Sequence, residues 1–229
     1  MTRKLPESAR YEVKFIASPD QYYRMEHWIA MHPAGFHAPY PPRQVNNVYF
    51  DDYNLYACAE NLSGTSARSK VRLRWYGDTF RPESCVLEVK QKRNMLGWKF
   101  NFRAGAIDFE SQSWLSIRRT LRSQLEPEGR PWLDENPQPV LLNRYHRNYY
   151  LSHDAKLRVT LDSNQGVFDQ RVAPRPNLGR AANLPQTIVV EFKFGREDYA
   201  TASRAIQGIP IRVSRNSKYV IGVQALLAS

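Results

Sequence analysis

The chain has 229 residues, 42% of them hydrophobic and 12% aromatic, which is enough for one domain with its own core. Its 33 Lys and Arg against 22 Asp and Glu give a formal charge of +11, which favours phosphate-rich partners. Two cysteines are too few for a disulfide framework or a thiolate metal site, and the longest apolar run, residues 219–228, is about half a membrane span. We therefore predict a single domain over residues 1–229 that is cytoplasmic, either free or peripheral at the inner face of a membrane.

The hydrophobic periodicity predicts mostly strands, with a few helices between them. In chain order we expect a strand at 11–16, a helix at 20–31, a strand at 45–50, a short helix at 53–61, strands at 70–76, 85–93 and 97–103, a helix at 111–125, strands at 140–150, 156–162 and 187–194, a helix at 197–207, and a helix from 217 onward. The proline-rich segment 127–139 is predicted to be a link. Residues 166–185 are predicted to be mostly loop, with a short strand at 167–172.

Apolar and charged residues alternate along these strands, and most of the charges are positive. The segment 70–75 places Lys70, Arg72 and Arg74 on one face and three apolar side chains on the other, because successive side chains of a strand point to opposite sides. Similar charged lines contain Glu12, Lys14, Glu88, Lys90, Lys92, Lys99, Glu191 and Lys193. Such lines of cations repel each other unless water, carboxylates or an anion lies among them, so we expect a surface that holds a polyanion.

Two-faced antiparallel strands of this kind can close into a barrel with a polar interior and an apolar exterior. The apolar exterior would then need helices packed against it. We therefore predict an α+β protein, an antiparallel β-barrel tunnel with a charged interior and helices packed outside.

Eight segments of the chain resemble, in the same order, the catalytic domain of the VTC polyphosphate polymerases. They are KFIASPD at 14–20, VYFD at 48–51, KVRLRWYG at 70–77, LEVK at 87–90, YHRNY at 145–149, LRVTLD at 157–162, VEFKF at 190–194 and SKY at 217–219. The resemblance implies the triphosphate tunnel metalloenzyme fold that is shared with CYTH proteins. It also implies transfer of the terminal phosphate of ATP to polyphosphate with a divalent metal, manganese or magnesium.

The resemblance also implies roles for individual residues. Those that match phosphate-binding, catalytic positions of the tunnel are Lys14, Arg72, Arg74, Lys90, Arg147, Arg158 and Lys218. Further substrate-binding candidates are Tyr145, Ser217, Lys193, Lys99 and Lys70. Glu191 matches the family's metal-coordinating glutamate, with Glu88 and Glu12 as helpers whose alternative role is ion pairing with neighbouring lysines. Asp162 either has a structural role, as a turn cap or as a partner of Arg158, or contacts the metal.

The expected partners are ATP and polyphosphate, and no specific nucleic acid is expected. The resemblance does not extend to the SPX domain and transmembrane segment that accompany the eukaryotic polymerases. We therefore expect a free-standing version, with a separately encoded membrane protein as a candidate partner. Two other functions stay open: a hydrolase of inorganic or nucleoside triphosphate with the same fold, and a non-catalytic binder of polyphosphate or nucleic acid.

Overall fold

The computed structural model describes residues 5–228, so the ends of the predicted domain, residues 1–4 and 229, lie outside the described part. Within that part, eight antiparallel strands form a closed barrel in the order β1-β5-β4-β3-β2-β6-β7-β8. In chain order the strands are β1 (Arg10–Ala17), β2 (Arg43–Asp51), β3 (Ala67–Tyr76), β4 (Cys85–Arg93), β5 (Leu96–Ala104), β6 (Gln138–Leu151), β7 (Arg158–Asp169) and β8 (Ile188–Phe194). The first and the last strand are therefore neighbours.

The helices fill the connections between the strands. A 3-10 turn, Pro19–Gln21, leads into α1 (Tyr22–Ala30), and the other helices are α2 (Tyr56–Ser63), α3 (Trp114–Gln124), α4 (Arg130–Asp134), α5 (Tyr199–Ile206) and α6 (Lys218–Leu227). Among residues 5–228, none of these helices combines the length and the apolar character that crossing a bilayer requires.

The apolar cores lie between the barrel wall and the helices. Val71, Leu73 and Trp75 of β3 share one cluster with Ile117 and Leu121 of α3. A second cluster joins β1, β7 and β8 to α1, and a third joins β2, β6 and β7 to α2 and α6. Charged side chains on the opposite face of the same strands are buried inside the barrel, among them Arg74, Glu88, Arg147 and Glu191. The predicted barrel with a charged interior and helices outside is therefore confirmed.

The observed strands and helices follow the predicted ones with ends shifted by a few residues, apart from two segments. The predicted link 127–139 contains the short helix α4, which has Pro131 in its first turn, where the missing N–H of proline costs nothing. The short strand predicted at 167–172 within the loop 166–185 is not separate but is the end of β7, which continues to Asp169 because residues 167–169 pair with residues 141–143 of β6.

Helix α6 is held against the barrel so that its first residues face the interior. The hydroxyl of Tyr219 donates to Asp51 Oδ2, and the Tyr219 ring stacks on Tyr49 with a centroid distance of 5.0 Å. Gly222 allows this close approach, because a Cβ at that position would lie 2.7 Å from a methyl carbon of Leu141. The residues before α6 run beside β1, where Ser214 N donates to the carbonyl of Lys14.

Candidate active site

The interior of the barrel contains a cavity lined by charged side chains. All of the site residues predicted from the sequence line this cavity except Arg158 and Glu88. Four lining residues were not predicted, and these are Arg10, Tyr49, Gly97 and Trp98. Among the described residues, ten basic residues and two carboxylates line the cavity, so its surface attracts polyanions.

The two exceptions lie near the cavity but in different surroundings. Arg158 is opposite Lys193 in the β7–β8 ladder, at the first residue of its strand, and its side chain is exposed. Glu88 is buried behind the lining, with Arg72 Nε 2.8 Å from its Oε2 and Lys99 Nζ 2.8 Å from its Oε1. Both oxygens of Glu88 thus contact cations, and the contacts observed are ion pairs with arginines as well as with a lysine.

Glu88 orients a pair of arginines on β3 toward the cavity. Arg74 Nη1 lies 3.4 Å from the same Oε2 that Arg72 contacts. Arg72 also donates to the hydroxyl of Tyr49, and Arg74 donates to Asn47 and to the hydroxyl of Tyr145. Burial raises the pKa of Glu88, but the surrounding cations outweigh it and hold that pKa well below its ordinary value. The carboxylate therefore remains charged and keeps both guanidinium groups in place.

A second buried carboxylate, Asp162 of β7, holds two more cations. Arg147 donates to both of its oxygens, with Nη2 2.7 Å from Oδ2, and Lys218 Nζ lies 2.6 Å from Oδ2. Burial raises the pKa of Asp162, yet Arg147 and Lys218 lower it to about 2. Of the two roles left open for Asp162, these contacts are those of a structural ion pair, and its partners are Arg147 and Lys218 and not Arg158.

The first residues of α6 close one side of the cavity. Lys14 Nζ donates to the carbonyl of Asn216 at 2.9 Å, and Lys70 Nζ donates to Ser217 Oγ at 2.8 Å. Ser217 also accepts from Val220 N and so caps the helix. The positive end of the helix dipole and Lys218 therefore face the same space as the strand cations.

Glu191 differs from Glu88 and Asp162 because one of its buried oxygens has no hydrogen-bond partner. Its Oε1 is buried without such a partner, although Lys193 Nζ lies 3.4 Å away. Burial raises the pKa of Glu191, but the nearby cations, Lys193 and Lys14 above all, hold that pKa well below its ordinary value. Glu12 is also on the cavity side, where Lys90 contacts its Oε2.

These two carboxylates fit a hard divalent ion that is bound jointly with phosphate. Magnesium and manganese prefer oxygen ligands, and magnesium is usually held by one or two carboxylates together with substrate phosphates and water. Within residues 5–228, no group of three or more His, Cys, Asp or Glu side chains forms a complete metal site. Glu191, with Glu12 as a second carboxylate, would therefore hold the ion together with phosphate oxygens and water.

We expect the affinity for inorganic tripolyphosphate to fall by about threefold to tenfold between pH 8 and 9. Burial lowers the pKa of Lys193 to about 8, even though Glu191 opposes this shift. Burial raises the pKa of Tyr145, but Arg147 and Arg74 outweigh it and lower that pKa to about 8. As pH rises through 8, the lysine loses its positive charge and the tyrosine becomes negative, so both changes weaken anion binding.

Calorimetric titration with tripolyphosphate from pH 7 to 9.5 measures this effect. Lys193→Arg keeps its charge over the whole range and Tyr145→Phe cannot ionise, so each variant should show a shallower decline than the wild type. A wild-type affinity that stays constant up to pH 9.5 would contradict the assignment of these two groups.

The chain that forms this site matches a known protein family. The sequence-family model of the VTC domain matches residues 9–227. The chain belongs to the VTC domain family. The match covers the barrel and α6 together, so the predicted resemblance is confirmed for nearly the whole chain. No curated protein matches the sequence.

Two solved structures align with the chain at low sequence identity. A candidate adenylate cyclase from Vibrio parahaemolyticus aligns with a TM-score of 0.51 and 11% identity over 93% of this chain and 97% of its own. A protein from Pyrococcus horikoshii OT3 aligns with a TM-score of 0.44 and 12% identity over 96% of this chain and 98% of its own. The chain thus has the triphosphate tunnel fold. Its membership of the VTC domain family supports a phosphate-related enzyme with that fold.

Proposed function

We propose that this VTC domain protein is a metal-dependent polyphosphate polymerase, which transfers the terminal phosphoryl group of ATP to the end of a polyphosphate chain inside the barrel. The observation that carries the proposal is the cavity itself, where ten basic residues surround a buried carboxylate, Glu191, one oxygen of which accepts no hydrogen bond. Phosphoryl transfer requires mainly positioning and charge stabilisation from a protein, and this cavity supplies both.

The arginines and the lysines of the cavity contact phosphate in different ways. The guanidinium groups of Arg72, Arg74 and Arg147 can each grip two phosphate oxygens, while the lysines act as point charges along the chain. Glu88 and Asp162 hold these arginines in place, so the arginines need little reorganisation when phosphate binds. The divalent ion at Glu191 would add Lewis-acid polarisation of a phosphoryl oxygen when it is bound.

The lining favours direct transfer between two phosphate groups. Among the described residues that line the cavity there is no histidine or cysteine, and the hydroxyl of Ser217 already contacts Lys70 and Val220 N. In the proposed step the terminal oxygen of polyphosphate attacks the γ-phosphorus of ATP, the bond to the β-phosphate oxygen breaks, and ADP leaves. An eight-stranded barrel has an interior wide enough for a small ligand, which suits an extended phosphate chain better than a nucleic-acid duplex. The membrane-protein partner and the peripheral membrane position stay predictions.

The test is incubation of the purified chain with ATP and manganese, with and without a short polyphosphate primer. We expect a polyphosphate ladder on a stained gel that grows in step with ADP, is faster with primer, and disappears when EDTA removes the metal. Free phosphate without a ladder would contradict the polymerase and indicate the triphosphate hydrolase. Neither product, with polyphosphate still bound, would contradict catalysis and indicate a binder.

A further inference from the structure

Three tyrosines surround one arginine where β2, β3 and β6 meet. The guanidinium carbon of Arg43 lies 4.7 Å from the ring centre of Tyr40, 5.7 Å from that of Tyr76 and 5.8 Å from that of Tyr149. Tyr40 also contacts Tyr149 edge-on at 5.8 Å. We call these four residues the tyrosine mouth. Tyr40 and Tyr76 are 53% and 46% exposed, so the rings are accessible from outside.

The tyrosine mouth continues the charged face of the cavity. Tyr76 is two residues after Arg74 on β3, which places it on the same face about 7 Å further along the strand. Arg43 lies opposite Arg147 in the β2–β6 ladder, and the guanidinium of Arg147 is itself 5.9 Å from the ring centre of Tyr149. A triphosphate held by Arg74 and Arg147 would therefore have aromatic rings next to one of its ends.

The other end of β3 has a different chemistry. Arg68 shares the cavity face of β3 eight residues before Tyr76, about 26 Å away along the strand, and is paired across the ladder with Lys92. Arg215 lies close enough to Arg68 for the two charges to interact. That end is therefore lined by cations, which suit phosphate, whereas the tyrosine mouth presents mainly aromatic faces.

We propose that the tyrosine mouth binds the base of a nucleoside triphosphate whose phosphates lie against Arg74 and Arg147. This inference rests on the proposed function and names the part of its substrate that the tunnel cations do not recognise. Aromatic rings and guanidinium planes stack on nucleobases, while the negative face of an aromatic ring offers nothing to a phosphate. Stacking recognises any base, so the site should accept ATP and GTP alike.

The test compares two ligands that differ in the base: a non-hydrolysable ATP analogue and inorganic tripolyphosphate, with affinities measured by calorimetry in the same magnesium buffer. We expect Tyr76→Ala to lower the affinity for the analogue by about fivefold to thirtyfold and the affinity for tripolyphosphate by less than about twofold. Tyr76→Phe keeps the ring and should behave like the wild type. Tyr23→Ala, which removes a 79% exposed tyrosine of α1, is the matched control.

Three results would overturn the inference. They are an unchanged analogue affinity in Tyr76→Ala, an equal loss for both ligands, and a selective loss of the analogue in Trp98→Ala with Tyr76→Ala unaffected. The last result would assign the base to the indole on the β5 side of the cavity. The experiment involves no turnover, so it is independent of the gel assay: a chain that makes no polyphosphate but loses the analogue selectively in Tyr76→Ala would refute the polymerase and keep the base site.

Discussion

Glu191→Gln is expected to lower polyphosphate synthesis by at least about a hundredfold while polyphosphate remains bound. The amide has the size of the carboxylate but no charge, so it is a poor ligand for a hard cation. The affinity for polyphosphate should be equal or higher, because the substitution removes a negative charge from the cavity. Synthesis is measured as ADP release at saturating ATP and manganese, and binding by calorimetry with a short polyphosphate.

Glu110→Gln is the control for this substitution, since Glu110 is an exposed partner of Arg81 on the outside of the barrel. Its synthesis rate should equal that of the wild type. If Glu191→Gln retained its rate across a manganese titration, Glu191 would not be the metal ligand. If it lost polyphosphate binding as well, the carboxylate would be needed to keep the cations in place.

The largest effect on stability is expected from Asp162→Ala. Asp162 is fully buried between Arg147 and Lys218, so its removal leaves two buried cations without their closest counter-ion. Breaking a buried ion pair from one side costs about 3–5 kcal/mol, which corresponds to a fall in Tm of roughly 6–20 °C for a chain of this size. Tripolyphosphate should recover part of the loss, because its oxygens can neutralise the same two cations. Thermal unfolding with and without tripolyphosphate measures both effects.

Asp134→Ala is the matched control, because Asp134 also pairs with an arginine, Arg122, but both side chains are about half exposed. Its Tm should be nearly unchanged, since exposed ion pairs contribute little. A Tm for Asp162→Ala close to that of the wild type would show that the two cations do not depend on Asp162. A large fall that tripolyphosphate leaves uncorrected would show that the cations themselves are displaced.

The sequence predicts the barrel well because one physical pattern, alternation between charge and apolar residues, recurs in most of its strands. Where a strand departs from the pattern, the prediction fails locally. Tyr49 was missed as a lining residue because the cavity face of β2 carries Val45, Asn47 and Tyr49, without a line of charges. Helix α4 was missed because its proline-rich surroundings indicate a loop, and Leu133 is its only fully buried residue among those described.

The partners of charged residues are harder to predict than their positions. Asp162 has an arginine four residues earlier in the chain, but it contacts Arg147, which lies opposite it in the β6–β7 ladder, and Lys218 from α6. Such contacts depend on strand register and on where a helix ends, and a single sequence specifies neither. Arg158 is a second example. Its register, opposite Lys193, is the one expected for an inward-facing residue, but it is the first residue of its strand and its side chain is exposed.

Closure of the barrel by pairing of β1 with β8 has a consequence for folding kinetics. Lys14 lies opposite Glu191 in that ladder, so the two residues meet only after a loop of more than 170 residues has closed. Such long-range pairing makes folding slow compared with domains rich in local contacts. In intermediates that lack this ladder, the lysine and the glutamate are far apart. The basic residues of the cavity then cannot all contact the same anion. We therefore expect phosphate compounds to slow unfolding of the closed barrel more than they accelerate its formation.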